Sequence, residues 1–398
     1  MIKFSIFIPS YNRQNIVKGA IESILNQSYQ NFEILLLDNG SQPPLDYLQF
    51  SDPRIRFFRN ENNIDSSEAI LDKICGTHFL FLGDDDALVP DALEIVKEIF
   101  DSDPEIQSLS TGFVNYDHIN KVVSGNDVSS QYFSGDLQSY DAWESMLFYF
   151  NDSWGIGEKK NYKGPKNAHP SAHFLKKDLI DQTRKSQKEL FIKPYIDVGY
   201  IGTLLHIKKT YYLNLPLTII GQTNSSDSMG IEFGKRASIN PRYLKELEYT
   251  PLKGISFINI AVDTHLKVIY RNKLETRIDC RLRPQFYFRH LQAVISDSPW
   301  TKQTIKDIYE VLPYLLKSLI QIRSVNGVIN TYLSAISFYK PIFWIIKVKV
   351  KKILGMDANK KVRWEKPTNT PEKIHFLNIN DAGKWIEERY VRNLWPRE

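Results

Sequence analysis

The feature that most constrains the fold is a regular alternation of short apolar segments and amphipathic segments over the first hundred residues. The apolar segments predict strands at Lys3–Pro9, Phe32–Leu37, Ile55–Phe58 and His78–Leu82. Helical spacing predicts helices at Asn15–Gln27, Ser66–Ile74 and Pro90–Phe100. Strands that alternate with helices in this way predict an α/β fold, with a mostly parallel sheet and helices on both of its faces.

Polar residues follow the predicted strands at the points where the strands end. Asn12 follows the first strand, Asp38 follows the second, and Asp84, Asp85 and Asp86 follow the fourth. In open α/β sheets, ligands bind beyond the carboxyl ends of the strands. These residues, although far apart in sequence, are therefore expected to meet at one edge of the sheet.

The three consecutive aspartates carry the strongest chemical signal in the chain. Neighbouring carboxylates repel one another unless a positive charge lies among them. Mg²⁺ and similar hard cations bind a few carboxylate oxygens and complete their coordination with substrate phosphates. The alternative interpretation is an acidic helix N-terminus before Pro90, which explains one or two of the acids but not three at the end of a buried strand.

The residues around the first two strand ends suit the recognition of a nucleoside. Asp38 offers a carboxylate to the edge of a base or to ribose hydroxyls, although Asp38 in Asp-Asn-Gly-Ser is also typical of a turn. Tyr11 offers a ring on which a base can stack. Asn12 and Arg13 offer hydrogen-bond donors.

Together, the segments IPSYNR, FEILLLDNGS and FLFLGDDDALVPDAL resemble the family 2 glycosyltransferases, which have the GT-A fold. The resemblance covers about residues 3–100 well and residues 101–225 loosely. It implies an inverting enzyme that uses Mn²⁺ or Mg²⁺ and takes a sugar from a nucleotide diphosphate donor, with a UDP-sugar expected. The implied acceptor is a glycan or lipid-linked glycan in bacterial surface polysaccharide synthesis.

The resemblance also implies roles for individual residues. Several residues are expected to bind the donor nucleotide: Pro9, Tyr11, Asn12, Arg13, Asp38 and Asp84. The acidic run corresponds to the D-x-D metal motif of the family in one of two registers, either Asp84-x-Asp86 or Gly83 in the first position with Asp85 as the ligand. The downstream A-L-V-P favours the second register, so Asp85 is the principal predicted metal ligand, with Asp86 beside it.

The chain departs from the family pattern at three positions that bear on catalysis. Asn39 stands where a second Asp is usual after Asp38, and Ile70 stands where the family commonly has an Arg. The general base of the family is usually the Asp of a Glu-Asp pair, and PYIDVGYIGTLL matches that segment with Asp197 as the Asp and Ile196 in place of the Glu. The alternative, compatible with the first, is that Asp197 caps the helix that follows.

His169 and His173 are separated by four residues, a spacing that suits a zinc pair on a helix. Pro170 and the lack of a third ligand nearby argue against zinc. Two interpretations remain for this pair: lining of the acceptor side of the site, or satisfied histidines in a loop.

We divide the chain into a GT-A catalytic domain (1–235), a helical region (236–326) and a basic, aromatic C-terminal segment (327–398). Residues 1–100 form the donor half of the first domain, and 101–235 its acceptor half. Residues 327–355 are apolar, but Lys340, Pro341 and Lys347 interrupt them, so they fall short of a membrane span. They suit peripheral contact with an anionic bilayer; the alternative is a core helix or a homo-oligomer interface.

Charge and cysteine content set the remaining expectations. Of the net charge of +5, residues 340–366 hold nine Lys or Arg against two acids, so the rest of the chain is net negative. This distribution does not suit a nucleic-acid binder. The two cysteines form no disulfide or metal pattern, and the N-terminus has no signal-peptide pattern. We therefore expect a cytoplasmic protein, peripheral at the inner face of the cell membrane.

Two other functions are compatible with the sequence. A catalytically silent GT-A-fold scaffold would explain Ile70 and Ile196. A sugar-phosphate nucleotidyltransferase would need a Gly-rich loop with Lys or Arg after the first strand, and PSYNRQN is not such a loop.

Overall fold

The computed structural model describes residues 1–48, 51–60, 67–123, 133–154, 169–192, 196–223, 246–250, 257–278 and 374–396. The strands are β1 (Phe4–Ser10), β2 (Phe32–Asp38), β3 (Ile55–Arg59), β4 (His78–Phe81), β5 (Ala87–Leu88), β6 (Ser108–Asp117), β7 (Val122–Val123), β8 (Leu137–Asp141), β9 (His173–Lys176), β10 (Lys209–Gln222) and β11 (Ile374–His375). The α-helices are α1 (Gln14–Leu25), α2 (Ser67–Ile70), α3 (Ala92–Ser102), α4 (Ala142–Trp154), α5 (Lys177–Gln187), α6 (Phe257–Arg271), α7 (Ile379–Ile386) and α8 (Arg392–Leu394). Short 3-10 helices lie at Leu45–Leu48, Leu71–Lys73, Pro170–Ala172 and Ile196–His206, and a π-helical turn lies at Glu387–Val391.

The first 81 residues form the parallel part of the sheet. β1 pairs in parallel with β2 and with β4, and β2 pairs in parallel with β3. Successive side chains of a strand point to opposite faces, so Ile6 and Ile8 pack with α1 on one face while Phe7 packs with Leu179 of α5 on the other. The predicted α/β class, with helices on both faces of the sheet, is confirmed.

Beyond β4 the sheet becomes mainly antiparallel. The segment that contains His173 forms β9, which lies antiparallel between β4 and β6. The long strand β10 pairs in parallel with β6 and antiparallel with β5 and β8. The parallel half of the sheet is therefore continuous with an antiparallel half that the alternation pattern did not predict.

Residues 374–396, which the sequence division places in the C-terminal segment, pack against the first domain. β11 extends the sheet by pairing with β7. Ile379, Ala382 and Ile386 of α7 are buried in the same apolar core as α1 and α3. The indole nitrogen of Trp395 donates to the Glu98 carboxylate at 3.1 Å.

The helical region is described over residues 246–250 and 257–278. Within it, the buried Asp263 of α6 accepts hydrogen bonds from three consecutive backbone amides of the segment 248–250, at 2.7–3.1 Å. Residues 327–355, for which membrane contact is predicted, lie outside the described residues. None of the helices in the described ranges has the length and apolar character needed to cross a bilayer.

Candidate active site

The acidic turn, Asp84–Asp86, lies directly after β4, and contacts from β1 and α1 hold its first residue. The Ser10 hydroxyl donates to one oxygen of Asp84 at 2.7 Å, and the Arg13 guanidinium donates to the other at 2.6 Å. The Ser10 carbonyl in turn accepts from the amide of Asn39, after β2, at 2.9 Å. The ends of β1, β2 and β4 thus meet at one place, as predicted, although each carboxylate oxygen of Asp84 already has a protein donor.

Asp85 is the most accessible acid of the turn. Its side chain is 12% exposed and lies 3.2 Å from the same Arg13 nitrogen that contacts Asp84. Its backbone carbonyl accepts a hydrogen bond from the His118 ring at 2.7 Å. The turn therefore fixes the backbone of Asp85 while its carboxylate lies at the partly exposed side of the turn.

Asp86 faces the protein, and its role as a metal ligand stays a prediction. One of its oxygens accepts from the Gly221 amide at 2.8 Å, and the other accepts from the Gly83 amide at 3.1 Å and from the Ser171 hydroxyl. Its side chain is buried, with 3% exposure of the residue. Both oxygens of this carboxylate accept hydrogen bonds, and these bonds hold the turn to β10 and to the segment before β9.

The electrostatics of the acidic turn suit a cation. Burial raises the pKa of Asp84; Arg13 opposes this shift, and the charge of Asp85 reinforces it. Burial also raises the pKa of Asp86, and Asp85 again reinforces the shift. A cation would relieve repulsion between such clustered carboxylates, and the role of Asp85 as a metal ligand stays a prediction.

A complete protein-only metal site is not present in the described ranges: no group of three or more His, Cys, Asp or Glu side chains there is placed to hold an ion. Mg²⁺ is commonly held by one or two carboxylates and completed by water and substrate phosphates. A single accessible carboxylate at Asp85 is compatible with that kind of site.

Asp38 is fully buried at the end of β2. Its oxygens accept from the amide of Ser41 at 2.7 Å and the amide of Leu45 at 3.0 Å, and the carboxylate is ion-paired with Arg59. Burial alone would raise its pKa, but the hydrogen bonds from Ser41 and Leu45 and the charge of Arg59 outweigh it and lower the pKa below the usual value. In this arrangement Asp38 organises the turn that follows; its contact with a nucleoside stays a prediction.

The residues after β1 are placed differently from one another. Tyr11 is 45% exposed, so its ring is accessible to a ligand. Asn12 has a φ of 55°, and its side-chain oxygen accepts from the Gln42 amide at 2.8 Å, which joins this loop to the one after β2. Pro9 is half-buried in β1, opposite Leu37 of β2. Their roles in nucleotide binding stay predictions.

The two histidines occupy different environments. His173 is buried in β9, where its Nε2 lies 2.7 Å from the Ser108 hydroxyl, and burial lowers its pKa to about 4. The ring of His173 is therefore satisfied, but by a partner within the sheet and not in a loop. His169 is half-buried, accepts from the Ser171 amide at 3.3 Å and packs its ring near Phe113, so it lies beside the segment that holds Asp86.

Asp197 is the second residue of the 3-10 helix Ile196–His206. Its side chain lies outside the described part of the structure, so its role as a base stays a prediction. Ile70, where the family commonly has an Arg, is buried in the apolar core beneath β1 and β4. No charged group could occupy that place without disrupting the core.

Three residues that brace the acidic turn were not singled out from the sequence. Ser171 and Gly221 bind Asp86 from 85 and 135 residues further along the chain, and His118 binds the backbone of Asp85 from the end of β6. A Cβ atom at Gly221 would lie 1.7 Å from the Asp85 carbonyl oxygen, so only glycine fits there. These contacts depend on the pairing of β10 with β6 and β5, which leaves no local signal in the sequence.

Comparison with known proteins relates the chain to enzymes of sugar transfer. Residues 5–155 match the model of Glycosyl transferase family 2. The chain is 32% identical over 263 residues to a chondroitin synthase of Escherichia coli, an alignment that covers 63% of this chain and 35% of that protein. It is 35% identical over 107 residues to the GalNAc(5)-diNAcBac-PP-undecaprenol beta-1,3-glucosyltransferase of Campylobacter jejuni, covering 25% of this chain and 34% of that protein. The chain thus spans about one third of the length of each.

Among solved structures, the chain is similar to that of S. aureus TarS 1-349 in complex with UDP-GlcNAc. It superposes with a TM-score of 0.45 and 14% sequence identity, and the alignment covers 75% of this chain and 82% of that one. At this distance the likeness carries no argument about ligand or reaction.

Proposed function

We propose that this protein transfers a sugar from a nucleotide diphosphate donor to a glycan acceptor. The proposal is supported by the match of residues 5–155 to the model of Glycosyl transferase family 2. The observation that carries the proposal is the acidic turn at the meeting point of β1, β2 and β4, where Ser10 contacts both Asn39 and Asp84. This is the edge of the sheet at which α/β proteins bind nucleotides.

The donor is proposed to bind across this edge. Tyr11 is accessible for stacking on the base, and Asp85 is the carboxylate available to hold a divalent cation. Such a cation, when bound, would stabilise the negative charge that builds on the departing diphosphate. Arg13, which lies within 3.2 Å of both Asp84 and Asp85, keeps their carboxylates in place. A UDP-sugar is the proposed donor, on the basis of the family resemblance.

We propose an inverting mechanism in which Asp197 is the general base. Its carboxylate removes the proton of the acceptor hydroxyl as the acceptor oxygen bonds to the anomeric carbon. The bond from that carbon to the diphosphate breaks at the opposite face, so the configuration inverts. The role requires only one carboxylate opposite the leaving group, which Asp197 supplies although Ile196 stands in place of the usual Glu.

The acceptor is proposed to be a glycan or a lipid-linked glycan used in bacterial surface polysaccharide synthesis. The matched relatives support this class: one is named as a chondroitin synthase and the other acts on an undecaprenol-linked glycan, as its name states. Peripheral contact of residues 327–355 with the inner face of the cell membrane would place the enzyme beside such an acceptor. That contact, like a homo-oligomeric state, stays a prediction.

A catalytically silent scaffold is the second candidate. Two observations favour it: the carboxylate oxygens of Asp84 and Asp86 accept hydrogen bonds from protein donors, and Ile70 replaces the Arg common in the family. A scaffold would bind a nucleotide or glycan without turning it over.

Donor hydrolysis separates the two candidates. The purified protein is incubated with a panel of nucleotide sugars and Mn²⁺ or EDTA, and release of the nucleoside diphosphate is measured. We expect slow release of the nucleoside diphosphate that requires the metal and is lost in Asp85→Asn. Asp91→Asn removes a carboxylate beyond the acidic turn, so it is the matched control and should retain the release. Thermal stabilisation by one nucleotide sugar without any release would favour the scaffold.

A further inference from the structure

A half-buried carboxylate on the donor side of the domain holds the segment that precedes the proposed base in the chain. Glu68 lies in α2, in the connection between β3 and β4. One of its oxygens accepts from two consecutive backbone amides, those of Leu190 at 2.9 Å and Phe191 at 3.0 Å. The other accepts from Arg184 of α5 at 2.6 Å. A side chain of the donor half thus fixes the backbone of the acceptor half, more than 120 residues away.

The segment that Glu68 holds is packed tightly against the strands of the site. Leu190, Phe191 and Ile192 are fully buried. The Phe191 ring lies 5.8 Å from that of Phe7 in β1 and 5.9 Å from that of Phe81 in β4. Each of these strand residues lies three positions before a residue of the site, since Phe7 precedes Ser10 and Phe81 precedes Asp84.

The held segment also contacts the 3-10 helix Ile196–His206. Phe191 packs its ring 6.2 Å from that of Tyr200 in that helix, and Asp197 is six residues beyond Phe191 in the chain. This ring contact connects the helix to the same buried segment whose amides bind Glu68. Burial raises the pKa of Glu68, and the charge of Arg184 opposes this shift and holds the carboxylate in place. Arg184 also pairs with the exposed Asp72 at 2.9 Å.

We propose that Glu68 is a positioning residue that fixes Asp197 relative to the donor site. It touches neither substrate, and it acts through the backbone of residues 190–191. This inference rests on the proposed function, because it takes Asp197 as the base. A small displacement of a catalytic group from its productive geometry lowers the chemical rate strongly while leaving ground-state binding intact.

The test compares Glu68→Ala, Glu68→Gln and Asp72→Ala with the wild type. Glu68→Ala is expected to lower kcat for sugar transfer on the order of ten- to a hundred-fold with the KM for the donor within about twofold. Glu68→Gln keeps an oxygen that accepts from both amides and is expected to recover most of that loss. Asp72→Ala removes the exposed partner of Arg184 but none of the bonds to residues 190–191, and it is the matched control with unchanged kcat.

Hydrogen–deuterium exchange supplies a readout that does not depend on turnover. In Glu68→Ala, exchange is expected to rise in residues 189–206 and to stay unchanged in residues 3–10. The positioning role is overturned if exchange in residues 189–206 stays unchanged. It is also overturned if donor affinity falls while kcat is preserved. If Asp197→Asn retains full transfer activity, the base assignment fails while the exchange result still decides whether Glu68 holds the segment.

Discussion

Replacing Asp86 with alanine removes the acceptor for three donors at once: the Gly83 amide, the Gly221 amide and the Ser171 hydroxyl. Each buried donor left without a partner costs about 1–3 kcal/mol. The variant also relieves the cost of burying a carboxylate, whose pKa is raised by burial and by Asp85. We therefore expect a net loss of about 2–4 kcal/mol in the free energy of unfolding.

Asp85→Ala is the matched variant one residue away. Its carboxylate is partly exposed, and the pair with Arg13 at 3.2 Å is worth about 1 kcal/mol or less. Its removal also relieves repulsion within the acidic turn. The change in the free energy of unfolding is therefore expected to stay within about 1 kcal/mol, although activity is lost.

Urea denaturation followed by tryptophan fluorescence measures both variants under the same conditions. Asp86→Ala should shift the midpoint to lower urea with an unchanged slope, and Asp85→Ala should leave it close to that of the wild type. The division of roles within the turn is refuted if Asp86→Ala is as stable as the wild type or if Asp85→Ala is the less stable variant.

Three further predictions concern other parts of the chain. Asp197→Asn should lower kcat by roughly 10²- to 10⁴-fold with donor affinity preserved; a loss of donor binding, measured by calorimetry, would move Asp197 to the donor site. Burial lowers the pKa of His78 and of His173 to about 4, so the unfolded chain binds their protons first as pH falls below about 6.5. The contribution of each histidine is then full above that pH and decreases towards pH 4, by up to about 2 kcal/mol at pH 5. The raised pKa values of Asp84 and Asp86 act in the opposite direction, so the wild type is compared with His173→Gln, whose change in stability between pH 7.5 and pH 5 should lack this loss; equal changes in the two proteins would contradict the prediction. Ile386→Ala should cost about 2–5 kcal/mol because Ile386 is fully buried, and a denaturation midpoint equal to the wild type would show that residues 374–396 do not belong to the core.

The parallel half of the fold was accessible from the sequence because its signals are local. The predicted strands Lys3–Pro9 and Phe32–Leu37 correspond to β1 and β2 within one residue at each end, since apolar runs end there at polar turn residues. The predicted helix Pro90–Phe100 corresponds to α3 at Ala92–Ser102. Convergence of the strand ends then followed from the general geometry of parallel sheets.

The antiparallel part of the sheet and the bracing of the acidic turn could not be predicted, because they depend on contacts between distant segments. β9 and β10 join the sheet through pairings that no local pattern records. Two of the three donors to Asp86, Gly221 and Ser171, lie in β10 and in the segment before β9. The sequence alone therefore could not show that Asp86 faces the protein while Asp85 lies at the partly exposed side of the turn. The burial of α7 had a local signal, since Ile379, Ala382 and Ile386 recur at helical spacing. The charged residues around them favoured a separate basic, aromatic segment at 327–398 over a helix of the first domain.

The central claim is that Asp85 presents its carboxylate to a cation that contacts the phosphates of a sugar donor. Crystals soaked with Mn²⁺ and UDP test it directly, through the anomalous difference density of the manganese. The account predicts one peak within coordination distance of the Asp85 carboxylate, in contact with the diphosphate, and no peak there in Asp85→Asn. A manganese ion bound to the diphosphate elsewhere on the protein, with Asp85 still paired to Arg13, would contradict it.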